Sequence, residues 1–263
     1  MSTELLSVPV TSDLDVTHQL AVTWQHPDTL SIQPVGLLTC STSGYEFSYL
    51  RVASEVTDFQ PFLGFPDLES RYTSDTLFPL FAQRVMRPSR PDYAPYLHSL
   101  ALDDTATAWS ILARSQGARV GDNIRVLPEP EVDDAGRTRS TFFANGIRHR
   151  LRHDSAVGPC LDALSTGTEL TLRDEPENLV NARAILLTAR EGVALAWVPD
   201  VLLDYVHIVC GATEPTVTVA AINGPDVPAG FRLLVTLDGT APAGYRPFSG
   251  PRWELAAGAA TVR

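Results

Sequence analysis

The segment from Ala135 to His153 concentrates side chains that can bind anions. It contains five arginines and two histidines but no acidic residue, although the whole chain carries a net charge of −11. Arginine presents a planar fork of donors that suits phosphate groups. A solvated strand and turn can carry the same charges without any ligand. Both interpretations of this cationic segment stay open.

A second stretch, residues 173–186, starts with acids and ends in alternating apolar residues. Pro176 fixes its own φ angle, and the side chains of Asn178 and Asn181 favour turns, so the stretch predicts a turn that is followed by a strand. The alternative is contact with a ligand, because asparagine also hydrogen-bonds hydroxyl groups.

Motifs of the common enzyme classes are absent from the sequence. There is no phosphate-binding P-loop, no dinucleotide fingerprint, no serine-hydrolase elbow and no zinc-peptidase motif. Asp174, Glu175 and Glu177 are expected to form a solvated loop rather than a carboxylate cluster for acid–base chemistry. We therefore predict a non-catalytic protein without a cofactor.

Metal binding is not expected either. His149 and His153 are spaced to share one face of a helix, but the neighbouring residues predict strand and loop. Cys40, Cys160 and Cys210 are far apart and odd in number, so we expect buried structural thiols rather than disulfides or a zinc site.

The composition bounds the cellular context and the partners. The acidic N-terminus does not resemble a signal peptide, and no apolar run is long enough to cross a bilayer, so the sequence predicts a cytoplasmic protein without a membrane partner. Both halves of the chain have more acids than arginines. This balance disfavours non-specific coating of duplex DNA.

Strand and helix patterns predict a β-rich α+β protein with two domains. Residues 1–120 predict a small antiparallel sheet followed by three short helices, with Ser74, Ser89, and Asp103 or Asp104 as their caps. Residues 121–263 contain many short strand patterns around two short helices, which is typical of a small barrel-like β domain.

Three segments of the second half resemble the HIRAN domain in order and spacing. They are "FFANGIRHR", "LSTGTELTLRDEPENLVNARAILL" and "VALAWVPDVLLDYV", and the likeness covers roughly residues 139 to 238. The resemblance implies an OB-like barrel that holds the 3′ end of single-stranded DNA with a stacking aromatic, a basic residue on phosphate and an acid near the terminal hydroxyl. The candidate nucleic-acid-binding residues are Phe143, Arg148, His149, Arg150, Arg152, Asn178, Asn181, Arg183 and Trp197.

Strand alternation would place the three arginines of "RHRLR" on one face, where they could follow one nucleic-acid backbone. His149 and Trp197 are the candidates for base stacking, with core packing as the alternative for each. The chain departs from the HIRAN pattern at four places. These are Val180, where the family often has Tyr; Asn181, where it has Asp; Arg183, where it often has Asn; and Asp200, near a position that is basic in fork remodellers.

The first half resembles the N-terminal subdomain of HipA-type toxins. The likeness rests on "QPVGLLTCSTSGYEFSYL" and "FPDLESRYTSDTLFPLFAQRVMRPSRPDY", and bacterial proteins join such a segment to a C-terminal HIRAN domain. "GYRPFSGPRWEL" is similar to the closing stretch of those proteins. No kinase core follows the first half, so the resemblance does not imply phosphorylation.

Two functions are expected from these resemblances and charges. In the first, the protein binds single-stranded DNA or DNA ends in repair or defence through its second half. In the second, it is an interaction or regulatory module, such as a toxin–antitoxin or defence-system partner. The first half would then dock a protein partner through Arg84, Arg87 and Arg90, while the second half serves as scaffold.

Overall fold

The computed structural model describes residues 18–119, residues 121–256 and the backbone of residues 261–262. These residues form an α+β structure with two sheets and six short helices, which confirms the predicted fold class at this level. In this part of the chain, no helix has the length and apolar character needed to cross a bilayer.

The first sheet contains six strands in the order β13-β4-β3-β2-β1-β5. Neighbouring strands are antiparallel except for β13, which runs parallel to β4. The strands are β1 (His18–Gln25), β2 (Ile32–Ser41), β3 (Gly44–Tyr49), β4 (Arg71–Ser74), β5 (Ile124–Pro128) and β13 (Thr261–Val262).

Three helices accompany this sheet, as predicted, but they begin later than predicted. They are α1 (Pro79–Ala82), α2 (Tyr93–Ser99) and α3 (Ala108–Arg114). Only α3 has a side-chain cap among the three, since Thr107 accepts a hydrogen bond from the Ser110 N–H. The predicted caps are therefore wrong, and Ser74 instead ends β4.

The aromatic residues of the first half form its core, as large rings without a polar role predict. Phe47 lies between Tyr49, Phe65 and Phe81, with ring centroids 4.5–5.7 Å apart. Tilted and edge-on rings at these distances contribute beyond the apolar area that they bury. This core fixes the segment between β3 and β4, which has no regular secondary structure from residue 56 to residue 70.

The second sheet contains seven antiparallel strands in the order β10-β9-β8-β11-β12-β7-β6. They are β6 (Glu131–Val132), β7 (Arg137–Phe143), β8 (Glu169–Asp174), β9 (Ile185–Thr188), β10 (Ala194–Trp197), β11 (Thr216–Ile222) and β12 (Leu233–Thr240). The helices α4 (Ile147–His153), α5 (Val157–Ala163) and α6 (Leu203–Ala212) pack with them.

A single bridge joins the edge strand β10 to the chain just beyond β7. Asn145 and Trp197 exchange backbone hydrogen bonds of 2.8 Å in both directions. The described strands therefore curl towards each other but form no closed barrel.

The two halves share apolar packing. Leu37 and Leu127 from the first sheet belong to the same buried cluster as Leu237 and Trp253. The chain passes from one sheet to the other after Pro128, because β5 pairs with β1 of the first sheet. The predicted boundary at residue 120 therefore precedes the change of sheet, and independent folding of the two halves stays a prediction.

Residues 147–153 form a helix, so the prediction of a strand here is wrong. The apolar residues Ile147 and Leu151 are four positions apart, which is helical spacing, whereas the arginines two positions apart suggest strand alternation. Ile147 is buried and anchors α4 to the second sheet. Gly146 has a φ of 77°, which turns the chain into the helix directly after the bridge.

Candidate functional site

The second half brings most of the predicted site residues into one region, on three elements. Arg148, His149, Arg150 and Arg152 lie on α4, and Trp197 ends β10. Asn178, Asn181 and Arg183 lie in the loop between β8 and β9. Phe143 ends β7 and points elsewhere.

Phe143 is not a surface stacking residue. Its side chain is 1% exposed and packs in a cluster with Leu97 and Ile111 of the first half. The ring of Phe231 lies 5.2 Å from it, centroid to centroid. Phe143 therefore stabilises the junction between the two halves and is excluded from the candidate site.

Trp197 holds α4 in place through Gly146. A Cβ atom on Gly146 would lie 2.3 Å from Cε3 of the indole, so only glycine allows this approach. The backbone bridge between Asn145 and Trp197 fixes the same two segments. The indole is half-buried, and Gly146 covers part of it.

The polar edge of the indole is bound by an acid that the sequence interpretation assigned to a solvated loop. Trp197 Nε1–H donates to Glu175 Oε2 at 2.6 Å, and Asn178 Nδ2–H donates to the same oxygen at 2.6 Å. No pattern in the sequence distinguishes Glu175 from Asp174 and Glu177. The contact arises because β8 and β10 both flank β9.

Arg150 is engaged by the protein itself. Its Nε–H donates to the Ala194 carbonyl at 2.9 Å, and Nη2 contacts Asp154 Oδ2 at 3.0 Å. Its guanidinium lies 5.7 Å from the Trp197 ring centroid, a distance at which cation–π attraction acts. Arg150 therefore fixes α4 to β10 instead of joining Arg148 and Arg152 on one face.

The outer face of α4 carries the remaining cationic groups. Arg148 and Arg152 are exposed, and neither forms an ion pair or a side-chain hydrogen bond with any residue that the structure describes. The two lie one turn apart, about 6 Å along the helix axis. Beside them, the exposed rings of His149 and His153 have centroids 4.3 Å apart, and His149 lies 5.8 Å from Trp197.

The two histidines share a helix face after all, which is the geometry that the sequence interpretation set aside. Two imidazoles alone supply half of a tetrahedral zinc site. Within residues 18–119 and 121–256, no group of three His, Cys, Asp or Glu side chains is placed to hold a metal ion.

The loop from Glu175 to Ala184 is held by the predicted asparagine turns. Asn178 Oδ1 accepts hydrogen bonds from Val180 N–H and Asn181 N–H, both at 3.0 Å, and Asn181 Oδ1 accepts one from Arg183 N–H at 3.0 Å. These bonds confirm the turn interpretation. They also occupy the side-chain oxygen of both asparagines that the resemblance assigns to ligand binding.

Arg183 is paired within the protein too. Its guanidinium binds Asp204, and its carbonyl contacts His207 Nε2 at 3.0 Å. Burial alone would raise the pKa of Asp204, but Arg183 and Arg252 hold that pKa below its ordinary value. Burial raises the pKa of the neighbouring Asp200, against the influence of Arg252 and a hydrogen bond from Asn181.

The prediction of buried cysteines is not met at any of the three positions. Cys40 and Cys160 are half-buried, whereas Cys210 is exposed. All three are thiols, as expected. Burial raises the pKa of each thiol, so none has the low pKa of a reactive cysteine.

Comparison with known proteins finds no family model, no curated protein and no solved structure that matches this chain. The resemblances to HIRAN and HipA-type proteins therefore stay predictions. A function for the chain must be inferred from the geometry of α4 and its surroundings.

Proposed function

We propose that this protein binds a short single-stranded nucleic acid, or the single-stranded end of a longer one, along the outer face of α4 without catalysing a reaction. The supporting observation is that Arg148 and Arg152, unpaired among the described residues, lie beside exposed imidazoles and a half-exposed indole. Phosphate groups satisfy such guanidinium groups, and rings beside them can stack on bases.

The pairing of other arginines supports the proposal. Surface arginines such as Arg137, Arg139 and Arg190 bind carboxylates at 2.7–3.1 Å. In a chain of net charge −11, acids are abundant enough to pair with Arg148 and Arg152 as well. Arg148 and Arg152 nevertheless have no carboxylate of the described residues within ion-pair distance, a property that they share with exposed arginines such as Arg87 and Arg173.

The surroundings limit the length of the bound strand. Glu175 holds the far edge of the indole, and Asp174 and Glu177 flank it in sequence. These acids repel phosphates that extend beyond the helix. The HIRAN resemblance is consistent with a site for a strand end or a few nucleotides. In this proposal the curled second sheet corresponds to the family's OB-like barrel.

Fluorescence anisotropy of a labelled 12-nucleotide strand tests the proposal. Strands with a 3′-hydroxyl or a 3′-phosphate, a blunt duplex and an RNA of the same sequence separate end recognition from general strand binding. Two phosphate contacts on a single strand predict a log–log salt slope of about −1.4. If all four ligands fail to bind at tens of micromolar protein in low salt, the proposal is wrong.

A matched pair of variants locates the site. Arg148→Ala/Arg152→Ala removes the two unpaired guanidinium groups and is expected to abolish most binding. Arg137→Ala/Arg190→Ala removes the same charge from two exposed arginines that already pair with acids, and is expected to change affinity little. Equal loss in both variants would indicate a general charge effect instead of a site on α4.

A second function, docking of a protein partner through the first half, is favoured by Leu63. Its side chain is 94% exposed between the buried Phe62 and Phe65. The predicted arginine surface is reduced, because Arg84 is buried and bound to Asp122 and Arg90 pairs with Asp92. A pull-down with the unchanged protein and with the Leu63→Ser variant tests this function. Equal recovery of the same partner by both would contradict it.

A further inference from the structure

A cleft of about 600 Å³ lies where the two sheets meet. Its walls come from the start of β1, from α3, from the crossing between β5 and β6, and from the middle of β7. The volume is in the range of small-molecule sites, which often lie at the junction of two structural units. None of its lining residues belongs to the α4 face.

Glu129 contributes an unneutralised acid to this cleft. It lies between Pro128 and Pro130 at the crossing from one sheet to the other, and its backbone N–H is tied to the Gln19 carbonyl at 3.0 Å. Its carboxylate has no hydrogen bond or ion pair with the residues that the structure describes. Burial raises the pKa of Glu129 to about 7.

Arg114 contributes an unneutralised cation to the same cleft. It is the last residue of α3, and its half-buried guanidinium likewise has no side-chain partner in the described ranges. Burial lowers the pKa of Arg114. The carbonyl groups at the end of α3 offer only weak stabilisation to this charge.

Other buried arginines of the protein show what a structural role requires. Arg84 binds Asp122 at 2.5 Å and the Gly117 carbonyl at 3.0 Å. Arg232 binds Asp162 at 3.1 Å and the Asn223 carbonyl at 2.7 Å. A charge that is partly buried without such partners is costly, so Arg114 is unusual for a residue that serves only the fold, whereas Glu129 escapes this cost when it binds a proton.

The two charges do not neutralise each other, although they line one cleft. No ion pair joins the two in the part of the chain that the structure describes, and burial is the cause of both pKa shifts. A ligand with an anion at one end and a cation at the other would satisfy both at once. Trp109 and Tyr245 add aromatic surface to the lining of the same cleft.

The remaining charged groups lie at the rim. His18, Glu131 and Arg246 are exposed, and the exposed Arg139 binds Asp238 at 2.7 Å. Burial raises the pKa of Tyr245 to about 12, so this phenol is uncharged near neutral pH. Arg114 and Glu129 are thus the charged residues of the lining that are partly buried.

We propose that this cleft binds a small zwitterion, with its carboxylate on Arg114 and its ammonium group on Glu129. This site is independent of the nucleic-acid proposal, because it uses different residues and a different ligand class. It gives the junction between the sheets a binding role in addition to its packing role.

Isothermal titration calorimetry with ω-amino acids from 4-aminobutyrate to 8-aminooctanoate tests the site and measures its length. Hexanoate and hexylamine, each with a single charge, are the reference ligands for 6-aminohexanoate. We expect one zwitterion length to bind at least tenfold tighter than either singly charged ligand. If no zwitterion binds at 10 mM, or if the singly charged ligands bind equally well, the proposal is overturned.

Variants assign the two contacts. Arg114→Gln and Glu129→Gln should each weaken binding of the preferred zwitterion by at least tenfold. Arg173→Gln and Glu191→Gln remove the same charges from exposed positions outside the cleft and should leave the affinity unchanged. Binding that survives both cleft variants, with their folding verified by circular dichroism, would overturn the assignment.

The unmodified protein provides a test that does not depend on variants. An ammonium group needs the ionised form of Glu129, so affinity should rise about tenfold from pH 6 to pH 8, as a carboxyl with a pKa of about 7 loses its proton. A His18→Gln variant that keeps this profile assigns it to Glu129 rather than to the rim imidazole. A flat profile would overturn the proposal.

Discussion

The outer face of α4 and the cleft between the sheets both contain arginines without partners among the described residues, but in opposite surroundings. Arg148 and Arg152 are exposed, so water stabilises their charges and the fold bears little cost. Arg114 is half-buried, and burial disfavours its charged form.

This difference indicates two kinds of recognition. An exposed cationic face attracts any nearby polyanion, and salt weakens that attraction. A partly buried charge needs a partner at a defined position, and salt screens such a pair much less. The two regions should therefore respond differently to substitution, salt and pH.

The largest effect is expected where a buried arginine does have a partner. Arg84→Met removes a guanidinium that is 1% exposed and leaves Asp122 without it, so unfolding should become easier by about 3–4 kcal/mol. Arg114→Met, in contrast, should be neutral or stabilising, because no described residue loses a partner. Chemical denaturation of both variants makes the comparison, and equal destabilisation would show that Arg114 serves the fold.

The next effect concerns the support of α4. Gly146→Ala combines a positive φ with a clash against Trp197, and should destabilise the protein by about 2–3 kcal/mol. Gly192→Ala is the control, since Gly192 has a φ of 80° but no atom within 4 Å of the added Cβ. Similar melting temperatures for the two variants would mean that the indole moves aside easily.

Salt should distinguish the two proposed binding sites. Raising the salt concentration from 50 to 200 mM should weaken single-strand binding about sevenfold if two phosphates are contacted, since the slope is about −1.4. Binding of a zwitterion in the cleft should change less than twofold, because the ligand has no net charge. A strong effect of salt on zwitterion binding, or no effect on single-strand binding, would contradict the proposed nature of the corresponding site.

The smallest effect is the pH dependence of stability from Glu129. The pKa of this carboxyl is raised from 4.5 to about 7 in the folded protein, so the folded state binds more protons than the unfolded chain between these values. The contribution of Glu129 to the free energy of unfolding therefore decreases as pH rises from 4.5 to 7.

Glu129→Gln removes the ionisable carboxyl and therefore the decrease in stability that Glu129 causes as pH rises. The variant should be more stable than the unmodified protein by about 1 kcal/mol at pH 8, a value reduced for partial exposure of the side chain, and should show no gain at pH 4.5. Thermal melts at the two pH values check this. A gain of equal size at both would mean that the substitution acts through packing instead of charge.

The prediction from sequence succeeded where one local pattern was sufficient. The alternation in "TVTVAAI", one of the strand patterns of residues 121–263, predicts β11 with its bounds, and the asparagines at 178 and 181 predict the turns that the hydrogen bonds confirm. The aromatic residues around Phe62 and Phe65 formed the core of the first half, because large rings with no polar role are buried wherever packing allows.

It failed where two local patterns conflicted. In residues 147–153 the arginines repeat every two positions, whereas the apolar Ile147 and Leu151 are four positions apart, and of these two only Ile147 is buried. Ile147 has a buried surface to pack against, whereas Arg148 and Arg152 gain nothing from a particular face. The segment therefore forms a helix that buries Ile147 and not a strand that aligns the arginines.

The sequence by itself determined the fold class, most strands, the asparagine turns and the concentration of cationic groups in one segment, because each depends on residues within a few positions of one another. Only the tertiary structure decided which charges remain unpaired. Asp204 binds Arg183 from 21 positions away, Ala194 holds Arg150, and Glu175 reaches Trp197 across the sheet. Neutralisation of a charge depends on distance in space, and the chain brings these groups together only when the two sheets and their helices have packed.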